Sequence, residues 1–273
     1  PMFSLDGYRP VDLSPLIKPR VHRVDGSLEE GGTDPYGTPW IMHEGVFPGD
    51  NSLFTLYAAP EGDETYHQER LTSHNGAHVQ GGKGHISHWP GMPDDMLGLW
   101  EMPLETFVGE AAVCYLDNLS PQPLEHADDY PRGVGWRMQS EKGDIRGIEI
   151  LPEHLSAVKE GDIVLMSSPF EGLEQPWLSN ETAKWLVQDR KIRMLGLEAS
   201  GVDWQYDLKL QPPNNSPVRR TLLSANVPIA HPLVNIESLS ADRVLYFGLP
   251  FNFEKFEASF IRAVAFEPKE SNR

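Results

Sequence analysis

Two histidines four residues apart, with a glycine midway, give the segment Ser73-His74-Asn75-Gly76-Ala77-His78-Val79-Gln80 the spacing of one face of a metal site. Side chains alternate along an extended strand, so His74, Gly76, His78 and Gln80 would project to the same side. Gly76 has no Cβ and leaves room in that row for an ion, a ligand or a neighbouring backbone. A helix would also align His74 and His78, but Gly76 and the run Gly81-Gly82-Lys83-Gly84 disfavour one. The pattern predicts a strand running into a glycine-rich loop. His85 and His88 follow, so four of the ten histidines fall within fifteen residues. That clustering points to metal binding or acid/base chemistry, with surface or hydrogen-bonded core histidines as the bland alternative.

The elements that must position these residues can be read in outline. Phe107 to Leu116, Asp162 to Met166, Ile192 to Leu197, Val244 to Leu249 and Phe260 to Phe266 read as strands. Pro152 to Val158 reads as a short helix, with Pro at its start and Gly161 just past its end. Ser179 offers an N-cap to a second helix running to Asp189, with Glu181 in its first turn and Ala183, Leu186 and Val187 on one face. Strand, helix and strand between 162 and 197 suggest a crossover unit, and the closing strands a meander. The expectation is an α/β protein, a mixed β-sheet core with flanking helices in a single domain over residues 1–273. Within it, 18–50 would be a long loop or arm and 268–273 a frayed tail.

Composition removes whole classes of function. A formal charge of −17 would repel a nucleic-acid backbone or an anionic membrane. Apolar residues at 39% and charged residues at 23% are those of an ordinary soluble protein, and no apolar run approaches the ~20 residues that span a bilayer. The first residues lack a secretory pattern, so a cytoplasmic protein is the expectation. Cys114 stands alone in an apolar run that reads as a buried strand, where it can form no intrachain disulfide.

At this point the residues resemble a family, the cyclase-like metal-dependent hydrolases that include bacterial kynurenine formamidase and isatin hydrolase. The family signature His-x-Gly-Thr-His-x-Asp-x-Pro-x-His is similar to His74-Asn75-Gly76-Ala77-His78-Val79-Gln80-Gly81-Gly82-Lys83-Gly84-His85. Val11-Asp12-Leu13-Ser14 resembles its opening, and Gly161 to Leu165 with Leu178 to Leu186 its middle. Gly196-Leu197-Glu198 through Val202-Asp203 and Phe260 to Ala265 resemble its later strands. The resemblance implies a swivelling β/β/α fold, a homodimer or homotetramer, and a small-molecule substrate. It also implies a metal-activated water that opens or cleaves an amide, formamide or lactone bond of a cyclic or acylated carbonyl compound.

The departures bear on the metal. Gln80 stands where the signature has an aspartate ligand, and Arg219 and His231 fall where two-metal members have a histidine and a glutamate. An arginine is a permanent cation and would repel a second ion. The set that remains is His74, His78 and His231 with Gln80 as an oxygen donor, which suits one divalent ion, zinc or else manganese. The signature's acid/base histidine falls one residue short of His85. A single inserted residue in the glycine run restores it, with His88 as the other candidate. The alternative is that the metal is gone. A cyclase, isomerase or lyase would then rely on histidine acid/base chemistry with Arg219 binding an anionic group, or the protein would be a silent binder of a small molecule.

Trp89, directly after the histidine cluster, is the aromatic best placed to line a substrate pocket, ahead of Trp100 and Trp136. Glu198 and Asp203, at a strand end, could orient ligands from behind or equally serve a structural turn. His43-Glu44 is expected on the long loop, and His22, His67, His126 and His154 on the surface. The glycine run lacks phosphate-loop spacing, and there is no Gly-x-Ser-x-Gly elbow.

Overall fold

The computed structural model describes residues 5–16, 21–23, 28–29, 53–58, 64–74, 76–123, 146–171, 174–198, 201–204 and 216–269. Nine strands make the main sheet. In chain order they are β1 (Tyr8–Asp12), β2 (His78–Gln80), β3 (Val108–Tyr115), β4 (Ile163–Ser167), β5 (Met194–Glu198), β6 (Ile229–Leu233), β7 (Arg243–Phe247), β8 (Ala258–Phe260) and β9 (Val264–Pro268). Across the sheet the order is β1-β9-β7-β3-β4-β5-β6-β2-β8. The four central strands, β3 to β6, are parallel and the outer ones antiparallel. Every residue of β4, β5 and β6 is buried, as expected of parallel strands covered on both faces.

β8 lies at one edge and β9 next to the other, yet only residues 261–263 separate them in the chain. The sheet therefore has to curl until its edges meet. Leu13 closes the gap, donating to the Ala263 carbonyl at 2.9 Å and accepting from Val234 N–H at 3.0 Å. Alternation then sorts side chains to two cores. Ile163 and Leu165 of β4 join Leu13, Val79, Val113 and Tyr246 inside the curl, while Val164 and Met166 join the layer under the helices.

The crossover from β4 to β5 runs through α2 (Asn180–Gln188), numbered after the one-turn α1 (Gly82–His85). Ser179 caps α2 by accepting from Thr182 N–H at 3.2 Å, and Thr182, Ala183 and Leu186 face the sheet. Leu186 is fully buried, so its truncation to alanine costs about 2–5 kcal/mol. α3 (Pro217–Ser224) packs beside α2, with Thr221 Oγ1 donating to Asn180 Oδ1 at 2.7 Å.

Several expectations change. The run from Phe260 to Phe266 is two strands, because it crosses the seam where the curl closes. The expected helix from Pro152 to Val158 is a single 3-10 turn, Pro152–Leu155, and half-buried His154 accepts from Leu151 N–H at 3.0 Å instead of lying on the surface. Residues 21–23 and 28–29 of the expected long arm are strands of a four-stranded sheet with 53–58 and 64–72. At the far end, β9 runs through Pro268 and Lys269 N–H donates to Gly7, so the expected tail is ordered that far. The rest of the arm and tail, Trp136, His126 and His43-Glu44, and the side chains of His22 and His67, lie outside the described residues. Cys114 is buried in β3 as expected, and burial pushes its thiol up to about 12. No helix among the described residues is long and apolar enough to cross a membrane.

Candidate active site

The histidine row forms, but not on one straight strand. A strand ends at Thr72, the chain turns through Ser73 and His74, and Gly76 adopts a φ of +62° before β2 begins at His78. Only glycine takes that left-handed conformation at little cost, so Gly76 serves the bend more than the gap. The bend brings His74 Nδ1 to 3.2 Å from His78 Nε2. It also aims the Gly76 carbonyl at His78 Nδ1, 2.9 Å away. That hydrogen bond puts the His78 proton on Nδ1 and leaves Nε2 as a lone pair facing the cluster.

Register extends the row across the sheet. His78 in β2 stands opposite His231 in β6 and Phe260 in β8, and Gln80 stands opposite Ile229 and Ala258. Ile229 belongs to the layer under the helices and Val79 to the inner core, so the histidine face is the face the helices cover. The His78 and His231 ring centroids are 6.4 Å apart.

The expected glycine loop is helical. α1 turns once between Gly82 and His85, and its glycines allow close approach. A Cβ on Gly82 would lie 2.5 Å from the Leu223 carbonyl oxygen, and one on Gly84 would lie 2.5 Å from Glu257 Cα. That intimacy delivers His85 to Glu257. Glu257 immediately precedes β8 and is tethered to the end of β2 by Gly81 N–H donating to its carbonyl at 3.0 Å.

Glu257 was not a sequence candidate, yet it organises the site. Its buried carboxylate accepts from His74 Nε2 at 2.6 Å and from His85 Nδ1 at 2.9 Å. Burial works to raise its pKa, but the two histidine contacts outweigh burial and hold it down at about 2. His85 moves the other way from most histidines beside an acid. Burial, aided by the Arg219 charge and opposed by Glu257, lowers it to about 4. His78 is also held well below the ordinary histidine range, by burial first and then by His74. The cluster therefore sets an ionised Glu257 carboxylate beside two imidazoles, His78 and His85, that are held neutral.

With His74 donating from Nε2 and His78 from Nδ1, the nitrogens that face each other at 3.2 Å both carry lone pairs. Two lone pairs that close need a cation between them, a proton on His74 or a metal ion. The spacing suits the metal: tetrahedral zinc at 2.0–2.1 Å from its donors sets them roughly 3.3 Å apart. Gln80 Nε2 is likewise 3.2 Å from His78 Nε2, while buried Gln80 Oε1 has no hydrogen-bond partner among the described residues. A half-turn of the amide exchanges the two atoms and aims the unsatisfied oxygen at the same point. The donor set thus fits one cation. His74, His85 and Glu257 also offer one donor atom each within 4.8 Å of one another. The 2.6 and 2.9 Å contacts inside that trio are hydrogen-bond lengths, which favours an orienting role for Glu257.

Of the other candidates, Trp89 lies with its ring centroid 6.2 Å from that of His85. Arg219 of α3 holds its guanidinium carbon 4.8 Å from the Trp204 ring centre, and Trp204 in turn meets His231 at 5.4 Å. His88 is exposed, meets Trp89 alone among the described ring contacts, and is not drawn into the cluster. Trp100 sits under Lys83, with the ammonium 5.6 Å from its ring centre. Glu198 falls on the inner face beside Glu237, away from the histidines, so of its two alternatives the orienting one is not met. Asp203 is buried, and its backbone pairs with Pro176 and Leu178.

A family model described as "Putative cyclase" matches residues 11–204. Among solved structures, a potential metal-dependent hydrolase with cyclase activity is 16% identical, covers 96% of this chain and 99% of its own, and has a TM-score of 0.55. Isatin hydrolase A from Labrenzia aggregata is 17% identical over 96% of this chain and 95% of its own, with a TM-score of 0.59. Isatin hydrolase A from Ralstonia solanacearum is 16% identical over 95% and 92%, with a TM-score of 0.55. At these identities the likeness is one of fold. A search of curated proteins finds no match.

Proposed function

This chain is an enzyme of the cyclase family, and from that premise we propose that it hydrolyses an amide, formamide or lactone bond of a small cyclic or acylated carbonyl compound, with one divalent cation, zinc or manganese, at the histidine cluster. The observation that carries the reading is the convergence of His74 Nδ1 and the Gln80 amide on His78 Nε2, each at 3.2 Å. His74, His78 and Gln80 would hold the ion, with His231 across the strand pair. A divalent cation there acidifies water and polarises a carbonyl oxygen.

The chain's own residues supply the rest. Glu257 fixes the rings of His74 and His85 together, so the donor set and the proton carrier keep a constant relation. His85 carries its proton on Nδ1 toward Glu257 and presents the Nε2 lone pair, which can take a proton from the attacking water and pass it to the leaving nitrogen or oxygen. Held down at about 4, His85 stays in that accepting form throughout the neutral range. Trp89 beside His85 and Trp204 beside His231 bring apolar surface to two sides of the cluster.

The reading is tested by turnover of isatin, formanilide and dihydrocoumarin, a cyclic amide, a formamide and a lactone, each followed by acid release. Turnover of one or more supports it, and inertness toward all three with metal-loaded protein counts against it. A metal-free reading has one observation in its favour: the two side chains that meet His78 Nε2, His74 and Gln80, include no carboxylate. It requires turnover that is indifferent to chelators.

A further inference from the structure

α3 carries two consecutive arginines whose environments differ. Neighbouring helix positions diverge by about 100°, so the side chains leave in different directions. Arg220 is buried, donates from Nη1 to the Pro90 carbonyl at 2.9 Å and stacks on Trp89 at 4.9 Å. Its work is to pin the chain that follows the histidine cluster. Arg219 is half-buried and lies over Trp204, 4.8 Å from the ring centre. Trp204 borders His231, and the Arg219 charge acts on His85. Arg219 therefore stands on the rim of the cluster, between its His231 side and its His85 side.

The chemistry of that position is anion recognition. A ring stacked on a guanidinium fixes its plane, and the edge of that plane is a rigid fork of N–H donors matched to a carboxylate. Glu257, the acid of the cluster, gives its two oxygens to His74 and His85. The chain as a whole carries −17, a field that repels an anionic substrate unless a local cation offsets it.

We propose that Arg219 anchors a carboxylate on the substrate, so that the site prefers anionic carbonyl compounds to neutral ones of the same shape; this builds on the hydrolase reading above. The fork sets the anionic end of the molecule against Trp204 and leaves its carbonyl end toward His78 and His85.

Calorimetric titration with benzoate and with benzamide, near-isosteric probes that differ in charge, tests the proposal without turnover. Wild-type protein should bind benzoate at least about tenfold tighter than benzamide, in both chelator-treated and metal-loaded forms. Arg219→Lys should keep part of the preference and Arg219→Gln should lose it, with thermal midpoints reporting whether each variant is folded. A wild-type protein with no preference overturns the proposal whatever the variants do. So does a preference that survives in Arg219→Gln, or one that appears only with metal, since the ion would then hold the carboxylate. Failure of the hydrolase reading would show instead as inertness toward the three carbonyl substrates and equally toward 4-formamidobenzoate, a formamide that carries a carboxylate, while the benzoate preference persists.

Discussion

Glu257 and His74 are 183 residues apart in the chain and 2.6 Å apart in the fold. The other oxygen of the same carboxylate takes His85 at 2.9 Å, so one acid sets two rings at once. The two jobs proposed for the cluster, holding a cation and moving a proton, would thereby be coupled through the carboxylate that both rings share.

Glu257→Gln removes the charge and one of the two acceptors. We expect kcat/KM to fall by about 10- to 100-fold, with a comparable loss of metal affinity, since supporting carboxylates behind metal-binding histidines carry that much. Steady-state kinetics and metal titration check both, and a variant with wild-type values would remove Glu257 from the site.

Gln80 offers a sharper test because the change can improve the protein. Gln80→Glu places an anionic oxygen where the neutral Gln80 amide meets His78 Nε2, and should tighten zinc binding by at least about tenfold. Unchanged zinc affinity in competition with a chromophoric chelator would mean that Gln80 is not a donor.

The outline of the fold was legible because parallel strands buried on both faces leave continuous apolar runs, as in Ile163–Ser167 and Met194–Glu198. The capped helix after Ser179 was legible for the same local reason. The final apolar run misled because curvature is not written in periodicity: Phe260 and Val264 sit on strands at different places in the sheet. In the site, His74, His78, Gln80 and His85 were visible through spacing. Glu257 was not, since the sequence around it carries no mark of a partner 172 and 183 residues away. The run Gly81 to Gly84 reads as a loop because glycine required by close packing and glycine used for freedom look alike in a sequence.

That distinction can be measured at Gly84. A methyl group there would meet Glu257 Cα at 2.5 Å and its backbone nitrogen at 2.8 Å, and backbone cannot swing aside as a side chain can. Gly84→Ala should destabilise the protein by about 1–3 kcal/mol in chemical denaturation. Gly7→Ala, where the space is open, should cost far less. Equal effects would show that α1 does not press on Glu257 as described.

A pH prediction follows from Glu198 on the inner face. Burial first, then Glu237 beside it, raises its carboxyl from 4.5 to about 9. An acid whose pKa is raised by folding binds its proton more tightly in the native state. Its contribution is complete below 4.5 and is lost as pH rises through about 9. Melting temperatures taken between pH 5 and pH 9 should therefore fall more steeply for the wild type than for Glu198→Gln. Parallel curves would place the Glu198 carboxyl in an ordinary, ionised state.

The central claim is that this chain holds one divalent ion at His74, His78 and Gln80 and needs it for turnover. Metal analysis of protein purified without added metal tests it most directly. The account predicts about one equivalent of zinc or manganese, removed by chelator together with activity and restored by readdition. Less than about a tenth of an equivalent, with activity indifferent to the chelator, would contradict it.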